Sequence, residues 1–222
     1  MKRACLETQT PMSQAFMSVP YDQFNTIYFY LRMKTALHEN KTFDNIDWSE
    51  KEVSKNEFLK CIFKDCNFSN GLLLNNEFAD CQFVDCNLSM IKLDATALRN
   101  VSFKNCKLIG VDFSNCKDFL FCVSFENCIL DYVYFFKKKL RDTIFKRCSI
   151  REANFADTDL TNAVFADCDL SMTQFEKSNL NGADFTSAYN YTIDPELNRM
   201  KNAKFSVNGL AGLLCKYEII VE

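Results

Sequence analysis

The 222-residue sequence is poor in the residues that define several common protein classes. Only 5 Gly and 3 Pro argue against a collagen-like or proline-rich chain, and an apolar content of 48% is too high for a disordered one. The single histidine and the lack of any Cys-x-x-Cys pair leave little basis for a zinc site, a Cys–His nucleophile pair or a thioredoxin-like redox site. The composition therefore disfavours an enzyme and indicates no metal or cofactor.

Long apolar runs and a basic excess are also missing. No stretch of about 20 apolar residues occurs, and the sequence around Ile27 to Leu31 does not resemble a secretory signal. We therefore expect no membrane association and a cytoplasmic protein with reduced thiols. A net charge of -3 argues against direct nucleic-acid binding, which normally needs a basic stripe to neutralise phosphates.

Apolar residues instead recur at every fifth position. One run extends from Phe43 to Phe113 and, after a slip of two residues, a second extends from Leu120 to Phe185. This period matches neither an α-helix nor a β-strand, so neither element would keep these side chains on one buried face. Small residues often stand two positions before the large ones, and Asn, Asp, Ser, Lys and Glu lie between them. We expect the large and small residues to share one interior and the polar residues to face water.

Six cysteines show a longer period. They lie 20 residues apart, except for one interval of 22 residues. One turn of four pentapeptides has this length, so the pattern predicts about seven turns of a four-sided β-solenoid with the six thiols stacked in one inward column. The longer interval predicts two residues looped out near Lys117 to Phe119. The column contains Cys66, Cys86, Cys106, Cys128, Cys148 and Cys168.

The remaining thiols and the histidine lie outside this pattern. Inward thiols in a reducing compartment pack as small apolar groups, so we favour that role over metal binding or disulfides, although the turn spacing would permit disulfides. Cys5, Cys122 and Cys215 lie off the column and are the more reactive candidates. His38 has no visible acid or nucleophile partner, which predicts a surface residue.

Several repeats resemble a known family. The pentapeptide Ala153-Asn154-Phe155-Ala156-Asp157 and the related Ala183-Asp184-Phe185 resemble those of pentapeptide-repeat proteins. The resemblance covers residues 43 to about 188 and implies an all-β fold, a right-handed quadrilateral parallel β-helix with a short C-terminal helical cap. The Phe- and Cys-rich repeats, the two-residue slip and the segments 189–195 and 204–206 look more narrowly like the Qnr-type quinolone-resistance proteins. That resemblance implies a homodimer that mimics duplex DNA, occupies the DNA-binding saddle of DNA gyrase or topoisomerase IV and protects the enzyme from quinolones.

Charge is unevenly distributed along the repeats. Residues 152–186 contain seven acids and one base, whereas residues 137–151 contain seven bases and one acid. An acidic surface would attract a basic DNA saddle, although Asp is also an ordinary corner residue and the basic segment departs from DNA-like charge. The two-residue insertion is a second candidate, because the resemblance implies that longer loops there touch the topoisomerase. The candidate topoisomerase-binding residues are Asp157, Asp159, Asp167, Asp169 and Asp184, with Lys117, Asp118 and Phe119 from the insertion.

The repeats divide the sequence into three parts. Residues 1–40 form an extension, with a possible internal start at Met33, or a small helical cap; residues 41–188 form the solenoid; residues 189–222 form a C-terminal cap and dimerisation segment. A short amphipathic helix is predicted from Leu210, Leu213 and Leu214, followed by a strand-like segment at 218–221. The cap either folds back on the last coil or forms a two-fold dimer contact. The predicted dimer contacts are Leu210, Leu213, Leu214, Ile219 and Ile220.

Two classes of function are consistent with the sequence. The first is a DNA-mimicking protein that binds gyrase or topoisomerase IV and protects it from quinolones. The second is a repeat scaffold or interaction module for another protein partner, with no role in drug resistance. Neither class involves a reaction or a cofactor.

Overall fold

The computed structural model describes residues 36–219, which form an all-β parallel solenoid followed by two 3-10 helices, Val207–Leu213 and Cys215–Tyr217. The fold predicted from the five-residue repeat is confirmed. The strands in the described part of the chain are β1 (Ala36–Glu39), β2 (Thr42–Asp44), β3 (Glu52–Ser54), β4 (Asn56–Leu59), β5 (Ile62–Lys64), β6 (Leu72–Leu74), β7 (Glu77–Ala79), β8 (Gln82–Val84), β9 (Ala97–Arg99), β10 (Val101–Lys104), β11 (Val123–Glu126), β12 (Ile144–Lys146), β13 (Val164–Ala166), β14 (Asp184–Phe185) and β15 (Lys204–Phe205).

Each turn of the solenoid has four faces, which we number in chain order. Face 1 is a nine-stranded parallel sheet in the order β2-β5-β8-β10-β11-β12-β13-β14-β15. Face 2 is joined by single-residue parallel bridges that run from Asp47↔Asn67 to Asp169↔Tyr189. These bridges keep the faces of successive turns in register along the whole axis.

Faces 3 and 4 combine short sheets with bridges. Face 3 begins as the pair β3-β6 and continues through bridges that end at Asn154↔Gln174. Face 4 is the sheet β1-β4-β7-β9, which stops at β9, and it resumes with the bridge Lys139↔Asp159. The interruption of face 4 marks the turn that holds the two-residue insertion.

The corners between faces explain the polar residues of the repeat. Most pentapeptides end in a residue with positive φ, for example Asp85 at 56° and Asn105 at 54°. Asn and Asp tolerate this left-handed conformation better than most residues, and Gly adopts it freely. Gly110 and Gly182 occupy two of the corners, with φ of 69° and 70°.

Large aromatic side chains fill the interior. On face 1 the phenylalanine rings of successive turns stack, with centroids between 4.6 Å and 5.3 Å apart. Phe103 is 2% exposed and lies between Phe83 and Phe125 at 5.1 Å and 5.2 Å. Such offset stacks add to the stabilisation from apolar burial.

The predicted thiol column is confirmed. All six cysteines are buried and free, and the residues that follow them are bridged in register from Asn67↔Asn87 to Ser149↔Asp169. The thiols donate to main-chain carbonyls, as Cys66 Sγ does to the Lys64 oxygen at 3.2 Å. All six side chains are buried away from solvent and therefore pack as small apolar groups in the core, and burial raises the pKa of the Cys66 thiol.

The two-residue insertion lies where the spacing of the cysteines placed it. Register partners are 20 residues apart in most of the solenoid but 22 apart from Val101↔Val123 to Asp112↔Tyr134. The prediction is wrong for one residue of the inward set, however, because Leu120 adopts φ 57° and is 63% exposed. Phe121 is buried in its place, since the insertion moves the chain by one position before the repeat resumes at Phe125.

The solenoid extends beyond the boundaries predicted from the repeat. At one end β1 pairs with β4, and at the other β14 pairs with β15 through Phe185↔Phe205, so an additional turn follows residue 188. The extra turn lacks the regular pentapeptide pattern, but its inward residues Tyr191, Ile193 and Phe205 still pack on the core. The alternatives for residues 1–35 lie outside the described residues.

After β15, the C-terminal cap is helical, and its described residues 206–219 contain no strand. Ser206 caps the first 3-10 helix by accepting from the Gly209 N–H at 3.2 Å, and the Ile193 N–H donates to the Gly212 carbonyl at 3.0 Å. The expected strand at 218–221 is wrong for its described residues, because Glu218 adopts a left-handed turn with φ 51°. Ile220 lies outside the described residues.

Candidate protein-interaction surface

The five candidate aspartates surround the solenoid and do not share one face. Asp184 lies on face 1, Asp169 on face 2 and Asp159 on face 4, whereas Asp157 and Asp167 are exposed corner residues. One turn contains 20 residues, so residues that are ten apart in the sequence are half a turn apart. Asp157 and Asp167 therefore lie on opposite sides of the axis, as do Asp159 and Asp169.

Three of these aspartates also accept hydrogen bonds from the backbone. Asp159 accepts from the Thr161 N–H at 3.2 Å and from its hydroxyl at 2.6 Å, and Asp169 and Asp184 do the same with the residues two positions on. Hydrogen bonds of this kind are a common use of Asp at turns. These three residues therefore have the ordinary role of Asp in stabilising the turn that follows, in addition to their charge.

The basic segment 137–151 is largely neutralised. Most of its bases form an ion pair with an acid on a neighbouring turn, for example Arg151 with Asp131 at 2.7 Å. Lys138 is a base that points inward, and it is 2% exposed. The excess of positive charge on the surface of segment 137–151 is therefore much smaller than the sequence suggested. The other pairs are Lys138–Asp118, Arg141–Asp159, Lys146–Glu126 and Arg147–Glu126.

The insertion is anchored from the following turn. Lys138 Nζ donates to the Asp118 carboxylate at 2.6 Å and to the Cys116 carbonyl at 2.5 Å, and it lies 5.2 Å from the Phe121 ring centroid. Lys117 pairs with Glu77 at 3.1 Å. These contacts hold the loop against the solenoid.

The tip of the same insertion is exposed. Phe119 is 71% exposed, with the Arg99 guanidinium 5.8 Å from its ring centroid. Of the three candidate residues in the insertion, Phe119 is thus the one that presents an apolar side chain to a partner.

The predicted dimer contacts divide into two groups. Leu213 packs against the core and Leu214 is half-buried, so both serve the cap of their own chain. Leu210 is 45% exposed and Ile219 56% exposed, and Val207, which the sequence analysis did not select, is 83% exposed. The cap therefore folds back on the last coil and still presents apolar surface.

A row of exposed aromatic residues on face 3 was missed by the sequence analysis. Tyr132, Tyr134 and Phe136 are 49%, 50% and 40% exposed and alternate with the buried Val133 and Phe135. The alternation of outward and inward aromatic residues is visible in the sequence, but the five-residue period selects only the inward positions. We call these three side chains the aromatic row.

His38 belongs to the core stack and is not a simple surface residue. It occupies the large inward position of the first described turn and stacks on Phe58, with ring centroids 4.9 Å apart. Cys122 and Cys215 are exposed, whereas Cys5 lies outside the described residues.

Residues 36–219 contain neither a metal-binding cluster nor a membrane-spanning helix. No three His, Cys, Asp or Glu side chains of this region converge as a metal site. Its helices are also too short to be candidates for a membrane span.

Comparison with known proteins supports the repeat architecture. A family profile described as "Pentapeptide repeat region" matches residues 56–135 and 118–189. The solved structure of full-length QnrB1, a plasmid-mediated fluoroquinolone resistance protein, is similar at 17% identity and a TM-score of 0.50, covering 83% of this chain and 100% of its own. HetL, a pentapeptide repeat protein involved in heterocyst differentiation regulation from the cyanobacterium Nostoc, is similar at 15% identity and a TM-score of 0.51, covering 83% and 94%. At these identities the likeness shows the fold alone. No curated protein gives a significant match to the sequence.

Proposed function

Because this chain belongs to the pentapeptide-repeat family, we propose that it is a non-catalytic binding protein that docks on the DNA-binding surface of DNA gyrase or topoisomerase IV and protects the enzyme from quinolones. The proposal requires the protein to share the cytoplasm with that enzyme. QnrB1, which has the same fold, is a fluoroquinolone resistance protein, and this motivates the choice of partner.

The observation that supports the proposal is the arrangement of acids around the C-terminal turns. Each of the four faces carries an acid: Asp184 on face 1, Asp169 on face 2, Glu176 on face 3 and Asp159 on face 4. Duplex DNA likewise carries negative charge all around its axis. A basic groove would therefore meet negative charge whichever side of these turns it contacted.

The ion pairs of the preceding turns leave the acids of residues 152–186 as the main uncompensated charge of this end of the solenoid. Bases that would repel a DNA-binding surface are paired with Asp118, Asp131 and Glu126. Within residues 152–186 Lys177 is the single base. Asp159 and Asp184 are themselves paired with Arg141 and Lys204, so Asp157, Asp167 and Asp169 contribute most of the uncompensated charge.

The test is a gyrase supercoiling assay in the presence of ciprofloxacin, with charge-neutral variants. Asn retains the side-chain oxygen that accepts the hydrogen bonds at corners but removes the charge. We expect the quintuple variant to need a concentration about 10-fold higher or more to restore supercoiling. It should still unfold cooperatively in urea, with a midpoint lowered only slightly by the loss of the Asp159 and Asp184 carboxylates. The variant combines Asp157→Asn, Asp159→Asn, Asp167→Asn, Asp169→Asn and Asp184→Asn.

A matched control removes the same charge from exposed acids of the N-terminal half. Full protection by the control together with loss in the first variant supports the acidic turns. Equal protection by all three proteins contradicts this mechanism, and no protection by the wild type contradicts the proposed partner. The control combines Asp44→Asn, Asp65→Asn, Asp80→Asn, Asp85→Asn and Asp94→Asn.

We also propose a homodimer formed through the C-terminal cap. The exposed residues Val207, Leu210 and Ile219 offer apolar surface that the last coil does not use. A dimer through this end would place the two sets of acidic turns close to the symmetry axis. Sedimentation at micromolar concentration should give a dimer for the wild type and a monomer for Val207→Glu plus Leu210→Glu; a monomeric wild type contradicts the proposal.

A second candidate function is an interaction module for a different protein partner. The aromatic row favours it, because it is exposed apolar surface on the turn before the acidic segment and carries none of the negative charge that a DNA-binding surface would contact. Exposed Tyr and Phe side chains are frequent anchors in protein interfaces.

A further inference from the structure

The aromatic row stands out from its surroundings on face 3. Tyr134 is bridged to Asp112 on the preceding turn and to Asn154 on the following one. The same register places Ser114 and Ala156 beside Phe136. Because its neighbours are short, the row projects from the face, and both tyrosines remain about half exposed although turns lie on both sides.

The fold does not need aromatic residues at these positions. The repeat specifies the inward residues, such as Val133 and Phe135, and leaves the outward ones free. The corresponding outward residues of the next turn are Glu152, Asn154 and Ala156. Three outward aromatic side chains in one turn form an exposed apolar patch that adds nothing to the core, and patches of this kind commonly mark contacts with other molecules.

One end of the row is cationic. The Lys137 ammonium lies 4.8 Å from the Phe136 ring centroid, and Lys139 is exposed on the adjoining face 4. Neither lysine forms an ion pair with a described residue, although Asp157 occupies the same corner one turn further on. At the opposite end, the Tyr132 hydroxyl donates to Glu152 at 2.9 Å. From the Tyr132 corner to the Lys137 corner, the surface therefore changes from acidic to aromatic to basic across face 3.

From this juxtaposition we propose that the aromatic row and Lys137 and Lys139 bind an extended segment of a partner protein that has apolar side chains followed by carboxylates. Outward side chains on one strand are about 7 Å apart, which is the spacing of alternate residues in an extended peptide. The main chain of this turn is already paired on both sides, so the segment binds through side chains and does not add a strand. The carboxylates lie over the two lysines, and the apolar residues lie on Tyr134 and Phe136.

The test is the selection of peptides from a random phage library by the full chain. We expect enriched peptides that combine alternate apolar residues with a cluster of Asp or Glu. For a synthesised peptide of the enriched sequence, Tyr134→Ser plus Phe136→Ser should weaken binding about 10-fold or more. Lys137→Gln plus Lys139→Gln should weaken binding less than the aromatic changes do. Because salt screens the attraction between lysine and carboxylate, the lysine variant and the wild type should have equal affinities at high salt.

The control variant, Met172→Ser plus Gln174→Ser, changes outward side chains at the same kind of position two turns further on and should leave the affinity unchanged. All variants should keep the wild-type urea midpoint, because the changed side chains are outside the core. The absence of a common enriched pattern, equal affinity of all variants, or stronger binding of a thymidine oligonucleotide than of the peptide overturns the proposal. Self-association that the Tyr134 and Phe136 changes abolish would assign the row to a second copy and overturn it as well.

Discussion

The ammonium of Lys138 lies 2.6 Å from the carboxylate of Asp118, one turn away along the solenoid. The lysine is 2% exposed, whereas the aspartate side chain is 75% exposed. On neighbouring turns the same inward column holds Thr96, Thr158 and Ser178. A buried base thus occurs where the two-residue insertion needs a donor for its carbonyl and carboxylate.

Replacing this lysine should destabilise the insertion. In Lys138→Met the Cys116 carbonyl loses its buried donor and Asp118 loses its partner, so we expect a loss of about 1–3 kcal/mol in the free energy of unfolding. Limited proteolysis should also show faster cleavage near Phe119. Lys137→Met, which removes an exposed neighbouring charge, is the control; equal effects of the two changes would contradict the anchoring role.

The phenylalanine stack should dominate stability. Phe103→Ala should lower the free energy of unfolding by about 3–5 kcal/mol, because it leaves a cavity between Phe83 and Phe125. Phe136→Ala, at an outward position, should change it by less than about 0.5 kcal/mol. Urea titrations followed by circular dichroism measure both, and similar losses would show that the inward and outward assignment is incorrect.

Thiol reactivity should distinguish the column from the other cysteines. We expect iodoacetamide to label Cys122 and Cys215 in the native protein carrying Cys5→Ser, because both are exposed. Cys81 should resist labelling, since burial raises the pKa of its thiol to about 11. Mass spectrometry of peptides reads the sites, and rapid labelling of Cys81 or of the column under native conditions would contradict a closed core.

Acid should destabilise the C-terminal turns through Asp184. Hydrogen bonds from Thr186 hold the pKa of this carboxyl below its ordinary value. A lowered folded-state pKa gives stability that is complete above the unfolded value of about 3.9 and is lost as the pH falls through the folded value. Urea midpoints of the wild type and Asp184→Asn should therefore converge as the pH is lowered below about 4. If the two urea midpoints differed by the same amount at every pH, stability would not depend on the protonation of Asp184.

The sequence predicted the repeat but not every residue that fills it. The spacing of Cys106 and Cys128 located the insertion, because a buried column tolerates no drift in register. The same periodicity selected Leu120 although Phe121 enters the core, since a count cannot tell which of two adjacent apolar residues a loop turns inward. The burial of Lys138 does not follow from the repeat, because the donor it supplies is needed only once the insertion has folded.

The candidate surface was predicted less well. The prediction of one acidic surface is wrong, because the ten-residue separation of Asp157 and Asp167 places them half a turn apart. The exposure of Leu210 and the burial of Leu213 depend on how the 3-10 helix lies on Tyr191, where an added Cβ at Gly209 or Gly212 would collide. Such docking depends on tertiary contacts that periodicity does not encode.

The uninterrupted phenylalanine stack of face 1 has a consequence for how such a chain can evolve. Each turn contacts its two neighbours, and every joint along this face is the same Phe-on-Phe contact. Phe83 could therefore rest on Phe125 as well as on Phe103, and a gene duplication or deletion of one whole turn would change the length of the rod by about 4.8 Å without creating a new kind of interface. The distance between the aromatic row and the acidic turns can thus change during evolution by one whole turn at a time. The outward residues of each turn can meanwhile diverge independently, because they are not part of the stack.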